Sequence, residues 1–177
     1  MLSAMSVANK MGIKEGTRAI FINAPAAARA AIDPPSLGVA SELAGSFDYI
    51  HLFATTQAEL DESFPRLRAH LAPAGMLWVS WPKGRKLGTD LVLPKVIEIG
   101  YRHGLVESTC LSVDATWSAL KFTHPKAGKT YHNKYGKLPD ATPSSPRREG
   151  TGPGPSRSGR RGGGRPSTRR PHGGRPG

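Results

Sequence analysis

The sequence predicts an α/β domain over residues 1–123, built as one doubly wound, mostly parallel sheet with an antiparallel last strand, followed by a disordered basic tail over residues 124–177. Three observations carry that prediction. Apolar runs bounded by turn residues recur near residues 20, 50 and 78, as expected of strands buried on both faces of a parallel sheet. Segments with helical spacing separate them, which implies right-handed crossovers. From residue 139 onward Pro, Gly, Ser and Arg dominate and apolar residues nearly vanish, so that stretch cannot bury enough surface to offset chain entropy.

The elements follow in order. Residues 4–11 favour a short helix that Gly12 ends, since glycine accepts the left-handed conformation of a helix C-terminus. Arg18 to Asn23 reads as the first buried strand, and Asn23-Ala24-Pro25 terminates it. Ala26 to Ile32 is Ala-rich and helical, with Pro25 tolerated at its start and Asp33-Pro34-Pro35 stopping it. Leu37 to Ala40 suits a short second strand, and Phe47 to Ala54 the next buried one. Thr55 or Thr56 then caps a helix whose apolar positions are Ala58, Leu60, Phe64, Leu67 and Leu71. Pro73-Ala74-Gly75 reads as a turn into the strand Met76 to Trp81, and Pro82-Lys83-Gly84-Arg85-Lys86 as a loop. A helix opening at Thr89 or Asp90 and ending at Gly104 precedes two strands, Leu105 to Val113 and Trp117 to Phe122, joined by a tight turn at Asp114-Ala115-Thr116.

The net charge of +12 suggests a nucleic-acid binder until it is divided along the chain. From residue 124 onward thirteen Lys and Arg face only Asp140 and Glu149, a balance of +11; residues 1–123 hold twelve basic and eleven acidic residues, a balance of +1. Nucleic acid would therefore be a weak, non-specific partner of the tail, and an unselected extension reflecting GC-rich coding sequence is the alternative. Cys110 is alone, which excludes an internal disulfide and reads as a core thiol in a reducing compartment. With no apolar run of roughly 20 residues and no apolar leader, the expectation is a soluble cytoplasmic protein without a membrane partner.

In an open α/β sheet the ligand site lies beyond the carboxyl ends of the strands. This topology delivers Asn23 and Pro25 there from the first strand, Thr55 and Thr56 from the second long one, Trp81 and Lys83 from the third, and Asp114, Thr116, Trp117 and Ser118 from the final turn. Taken singly, these residues also serve as helix caps, core roof or solvated surface. Taken together, they form a candidate ligand-binding edge. Helix N-termini and the neighbouring Lys83, Arg85 and Lys86 would favour a small anionic or nucleotide-like ligand, and Glu42 lies where a nucleoside site places its ribose-binding acid. No Gly-x-Ser-x-Gly elbow, Gly-rich phosphate loop or pair of histidines at i, i+4 spacing is present, so no catalytic residue or metal ligand is assigned and the cofactor is unknown. His51, inside a strand, reads as a hydrogen-bonded core residue, and His70 and His103 as residues at helix C-termini.

Asn23-Ala24-Pro25 after the first strand and Trp81-Pro82-Lys83 after a later one resemble the bacterial family called domain of unknown function 3052. The likeness extends to residues 71–80, Thr89-Asp90-Leu91 and residues 113–122, and covers nearly all of residues 5–123. It implies a Rossmann-like fold and no particular activity. Phe47 to Trp81 is also distantly similar to the second half of class I methyltransferases. The first half departs from their pattern, because Asn23-Ala24-Pro25-Ala26 stands where S-adenosylmethionine needs a glycine-rich loop. The leading expectation is thus a non-catalytic binder of a small anionic or nucleotide-like ligand. The alternatives are a divergent methyltransferase and a protein that acts on nucleic acid through its tail.

Overall fold

A computed structural model describes residues 5–139. The elements run α1 (Val7–Met11), β1 (Arg18–Ile22), α2 (Ala26–Ile32), β2 (Gly38–Val39), β3 (Phe47–Phe53), α3 (Gln57–Ala69), β4 (Leu71–Pro82), α4 (Leu93–Arg102), β5 (Val106–Ser112) and β6 (Trp117–Thr123). One six-stranded sheet has the order β2-β1-β3-β4-β6-β5. β2, β1, β3 and β4 pair in parallel, while β6 runs antiparallel between β4 and β5. This is the mixed, mostly parallel α/β sheet expected from the sequence.

Strand alternation builds two cores, one on each face. Ile50, Leu52, Leu77, Val79, Leu120 and Phe122 pack with α3 and α4. Tyr49, Phe53, Trp78 and Ala119 pack with α1 and α2 on the other side. α4 lies close to the sheet because Gly100 faces Phe122: a Cβ there would stand 2.0 Å from the ring. His51 is fully buried in the middle of β3, with Nδ1 2.7 Å from the Tyr49 hydroxyl and Nε2 2.7 Å from Ser80 Oγ. Burial alone pushes its pKa down to about 3 and keeps the imidazole neutral, one nitrogen donating and the other accepting.

Several details differ from the sequence expectation. Pro73-Ala74-Gly75 does not end a strand; it forms a bulge inside β4, because Leu71 pairs with Phe47 and Met76 with Tyr49. Gly75 is required there, since a Cβ would meet the Phe47 carbonyl at 2.8 Å. α4 starts at Leu93 rather than at Thr89 or Asp90: the Asp90 side chain accepts from the Gln57 amide of α3, and the Thr89 hydroxyl donates to the Thr55 carbonyl that precedes α3. Cys110 is exposed, because β5 is an edge strand with a neighbour on one side only. The compact unit extends past residue 123 to Pro139. In that segment His124 Nε2 lies 3.0 Å from the Leu71 carbonyl, Asn133 donates to Glu107 (2.9 Å), and Tyr131 and Leu138 pack on the α3–α4 core. The disorder expected of the tail concerns, beyond Pro139, residues outside those described.

Candidate functional site

Parallel polarity brings the carboxyl ends of β1, β3 and β4 to one edge, and the antiparallel β6 begins there. Pro82 pairs with Trp117 and Trp81 with Ser118, so the final turn stands beside the end of β4. All ten residues selected from the sequence therefore share this edge, and it contains the switch point between β1 and β3, where the chain changes direction across the sheet and where open α/β sheets form their ligand crevice.

Their side chains form two separate groups. The first lies over β1 and β3. Asn23 takes a left-handed conformation (φ 60°), which Asn tolerates better than other side-chain-bearing residues, and so makes the tight turn that a glycine would otherwise supply. Its Nδ2 donates to Glu59 Oε2 (3.2 Å), while the Thr55 amide donates to Glu59 Oε1 (3.1 Å). Thr56 is the N-cap of α3 and accepts from the Glu59 amide (3.1 Å). The Gln57 amide donates to Asp90 Oδ1 (2.8 Å), and Thr89 donates to the Thr55 carbonyl. Pro25 stands at the N-cap of α2, where it makes no side-chain hydrogen bond.

The second group lies over β4, β5 and β6. The Lys83 amide donates to the Thr116 carbonyl (2.7 Å), and its ammonium to Ser112. Lys86 reaches the Ala115 carbonyl (2.8 Å). Asp114 accepts from the amides of Thr116 and Trp117, both at 2.8 Å, and so builds the turn. Among the described residues no side-chain hydrogen bond joins the two groups. Trp81 and Trp117 are nearly buried and belong to opposite cores, with Trp117 edge-on to Phe53 at 5.1 Å, so they do not form one wall. Ser118 is half-buried in the ladder between β4 and β5.

This arrangement alters the expected electrostatics. The Gln57 and Glu59 amides in the first turn of α3 are taken by the Asp90 carboxylate and by Thr56, and the Thr55 amide before the helix by the Glu59 carboxylate. A phosphate at that helix end would have to displace or adjoin two negative charges. Lys83 and Lys86 are held at the β5–β6 turn and do not offset those charges. Glu59 and Asp90 were not among the residues selected from the sequence. The spacing Thr56-Gln-Ala-Glu59 of a capping box was a readable signal for the former. Nothing local marks Asp90, which reaches α3 from a distant loop. Glu42 is exposed after β2. Among the described residues no group of three or more His, Cys, Asp or Glu is placed to hold a metal ion, and no helix is long and apolar enough to cross a membrane.

No family model and no curated protein matches the chain. Several solved structures show a distant likeness. A TehB-like S-adenosylmethionine-dependent methyltransferase from Corynebacterium glutamicum is 12% identical, with a TM-score of 0.44 over 70% of this chain and 89% of that one. A precorrin-6y C5,15-methyltransferase from Geobacter metallireducens is 11% identical, with a TM-score of 0.47 over 67% and 86%. A Methanococcus jannaschii fibrillarin pre-rRNA processing protein is 11% identical, with a TM-score of 0.42 over 71% and 72%. Likeness of this size concerns the fold alone.

Proposed function

We propose that the crevice between β1 and β3 binds S-adenosylmethionine and that the chain is a divergent methyltransferase-type domain. The observation that carries this reading is the Glu59 carboxylate, which lies at the switch point of the sheet between the Asn23 side chain and the Thr55 amide. A carboxylate there accepts from a ligand's ammonium or ribose hydroxyls and attracts a sulfonium, whereas it repels phosphate. The left-handed Asn23 supports the same reading, because it turns the chain sharply after β1 without a glycine. When bound, the ligand supplies a methyl group activated on a positively charged sulfur. Asn23, Thr55 and Glu59 would hold it, and no side chain is assigned to catalysis. Membership of the family called domain of unknown function 3052 is part of the same proposal, and rests on Asn23-Ala24-Pro25 and Trp81-Pro82-Lys83.

The test is a thermal-melting titration of the full chain. S-adenosylmethionine at a hundredfold excess over its dissociation constant stabilises the fold by about 2.7 kcal/mol. Glu59→Gln removes the charge, keeps the shape, and weakens binding by about tenfold, a loss of about 1.4 kcal/mol. If ATP or inorganic phosphate raised the melting temperature and S-adenosylmethionine did not, the small anionic ligand first expected from the sequence would replace this reading.

A further inference from the structure

Two clefts meet on the opposite, amino edge of the sheet at Ala74, Gly75, Lys121 and Thr123. The larger, about 700 Å³, continues past His124 to Lys126, Lys129 and Tyr131. The smaller, about 320 Å³, reaches Lys14, Thr17 and Asp48. Both include residues of the β4 bulge, where the strand leaves the regular ladder.

Lys14, Lys121, Lys126 and Lys129 line these clefts, and among the described residues none of them forms an ion pair. They come from three separate stretches: the loop after α1, strand β6 and the segment after β6. Glu107 also lines the larger cleft, but its carboxylate accepts from the Tyr101 hydroxyl (3.3 Å) and from Asn133 (2.9 Å). Asp48 is the other acid at the clefts, at the end of the smaller one. The segment that carries two of the lysines is fixed in place. The Lys126 amide donates to the Tyr131 hydroxyl (2.9 Å), and the Lys129 ammonium lies 5.3 Å from the Tyr131 ring centroid.

Like charges gathered around a recess repel one another and leave a positive potential for an anion to fill. We propose that this amino-edge cleft binds a single-stranded phosphodiester chain. Four lysines spread over two joined clefts match an anion with repeating charge, whereas one free phosphate would meet only part of the set. Lysine provides point charges for backbone phosphates. The site lies at the other end of the strands from the crevice of Glu59 and does not depend on what that crevice binds.

The experiment follows the anisotropy of a labelled short oligothymidylate with the full chain as salt rises from about 50 to about 200 mM. Four neutralised phosphates predict a slope of about −2.8 in log affinity against log salt, which is about a fiftyfold loss over that range, and any contribution of the tail's arginines steepens it. Changing Lys121→Gln, Lys126→Gln and Lys129→Gln together makes the slope shallower by about 2, while Arg66→Gln with Lys95→Gln, on α3 and α4, leaves it unchanged. Lys126→Gln alone, outside the sheet, makes it shallower by about 0.7 and covers the case in which the triple variant is unstable. The proposal is overturned if the lysine variants bind with the parent slope, so that the tail does all the work. It is equally overturned if the Arg66 and Lys95 changes have the same effect, or if polyglutamate displaces the oligonucleotide as readily as unlabelled oligothymidylate does.

Discussion

At the carboxyl edge of the sheet Asn23, Thr55, Thr56, Glu59, Lys83 and Asp114 are hydrogen-bonded to one another or to nearby backbone. At the amino edge Lys14, Lys121, Lys126 and Lys129 surround a recess, and among the described residues none of them has an ionic partner. The chain thus spends its polar groups on organisation at one edge and leaves them available at the other. What separates the edges is the arrival of partners from elsewhere in the chain. Glu59 and Asp90 reach the end of β3 from α3 and from the loop before α4, whereas the lysines converge from stretches with few acids.

Substitutions sharpen this contrast, and the largest effect concerns β3, the strand that spans both edges. Its His51 has a folded-state pKa of about 3 against an ordinary 6.5. Below pH 6.5 the unfolded chain therefore takes up a proton that the folded chain refuses, and stability falls as pH drops towards 3. The expected contribution is about 1.4 kcal/mol per pH unit across that window, measured by urea unfolding as the difference in slope between the parent chain and His51→Gln. At the amino edge, Gly75→Ala forces a methyl group against the Phe47 carbonyl and costs about 2 kcal/mol, read as a lower urea midpoint. At the carboxyl edge, Asp114→Ala frees the amides of Thr116 and Trp117 and costs about 1.5 kcal/mol, with loss of amide-exchange protection at Trp117. The smallest difference separates Asn23→Ala, which costs about 1 kcal/mol, from Asn23→Gly, which keeps the left-handed turn and is close to neutral. Equal effects of the two Asn23 changes would show that its side-chain bond to Glu59, and not its backbone, holds the turn.

The architecture was legible because strand burial is written locally. The apolar runs at 18–22 and 47–53 and the helical spacing through Leu60, Phe64 and Leu67 required no knowledge of distant residues. Strand polarity then placed Asn23, Thr55, Lys83 and Asp114 at one edge. The features that escaped depend on distant partners. Pro73-Ala74-Gly75 has turn chemistry, and only the pairing of Leu71 and Met76 with β3 makes it a bulge. Thr89 and Asp90 have helix-cap chemistry, yet Asp90 caps α3 rather than the helix it precedes, and Thr89 donates to the Thr55 carbonyl. Cys110 looked like a core residue because its strand's place at the sheet edge cannot be read from the strand itself. The segment from His124 to Pro139 is polar enough to pass for tail, although Tyr131 and Leu138 anchor it to the core.

An amide chemical-shift titration of the isotopically labelled full chain with S-adenosylmethionine tests the central claim most directly. The account predicts that the largest perturbations fall on Asn23, Thr55 and Glu59, where the carboxylate crevice lies, with little change at Lys121, Lys126 and Lys129. Saturating ligand without perturbation at the first three residues, or perturbations concentrated on the three lysines, would contradict it.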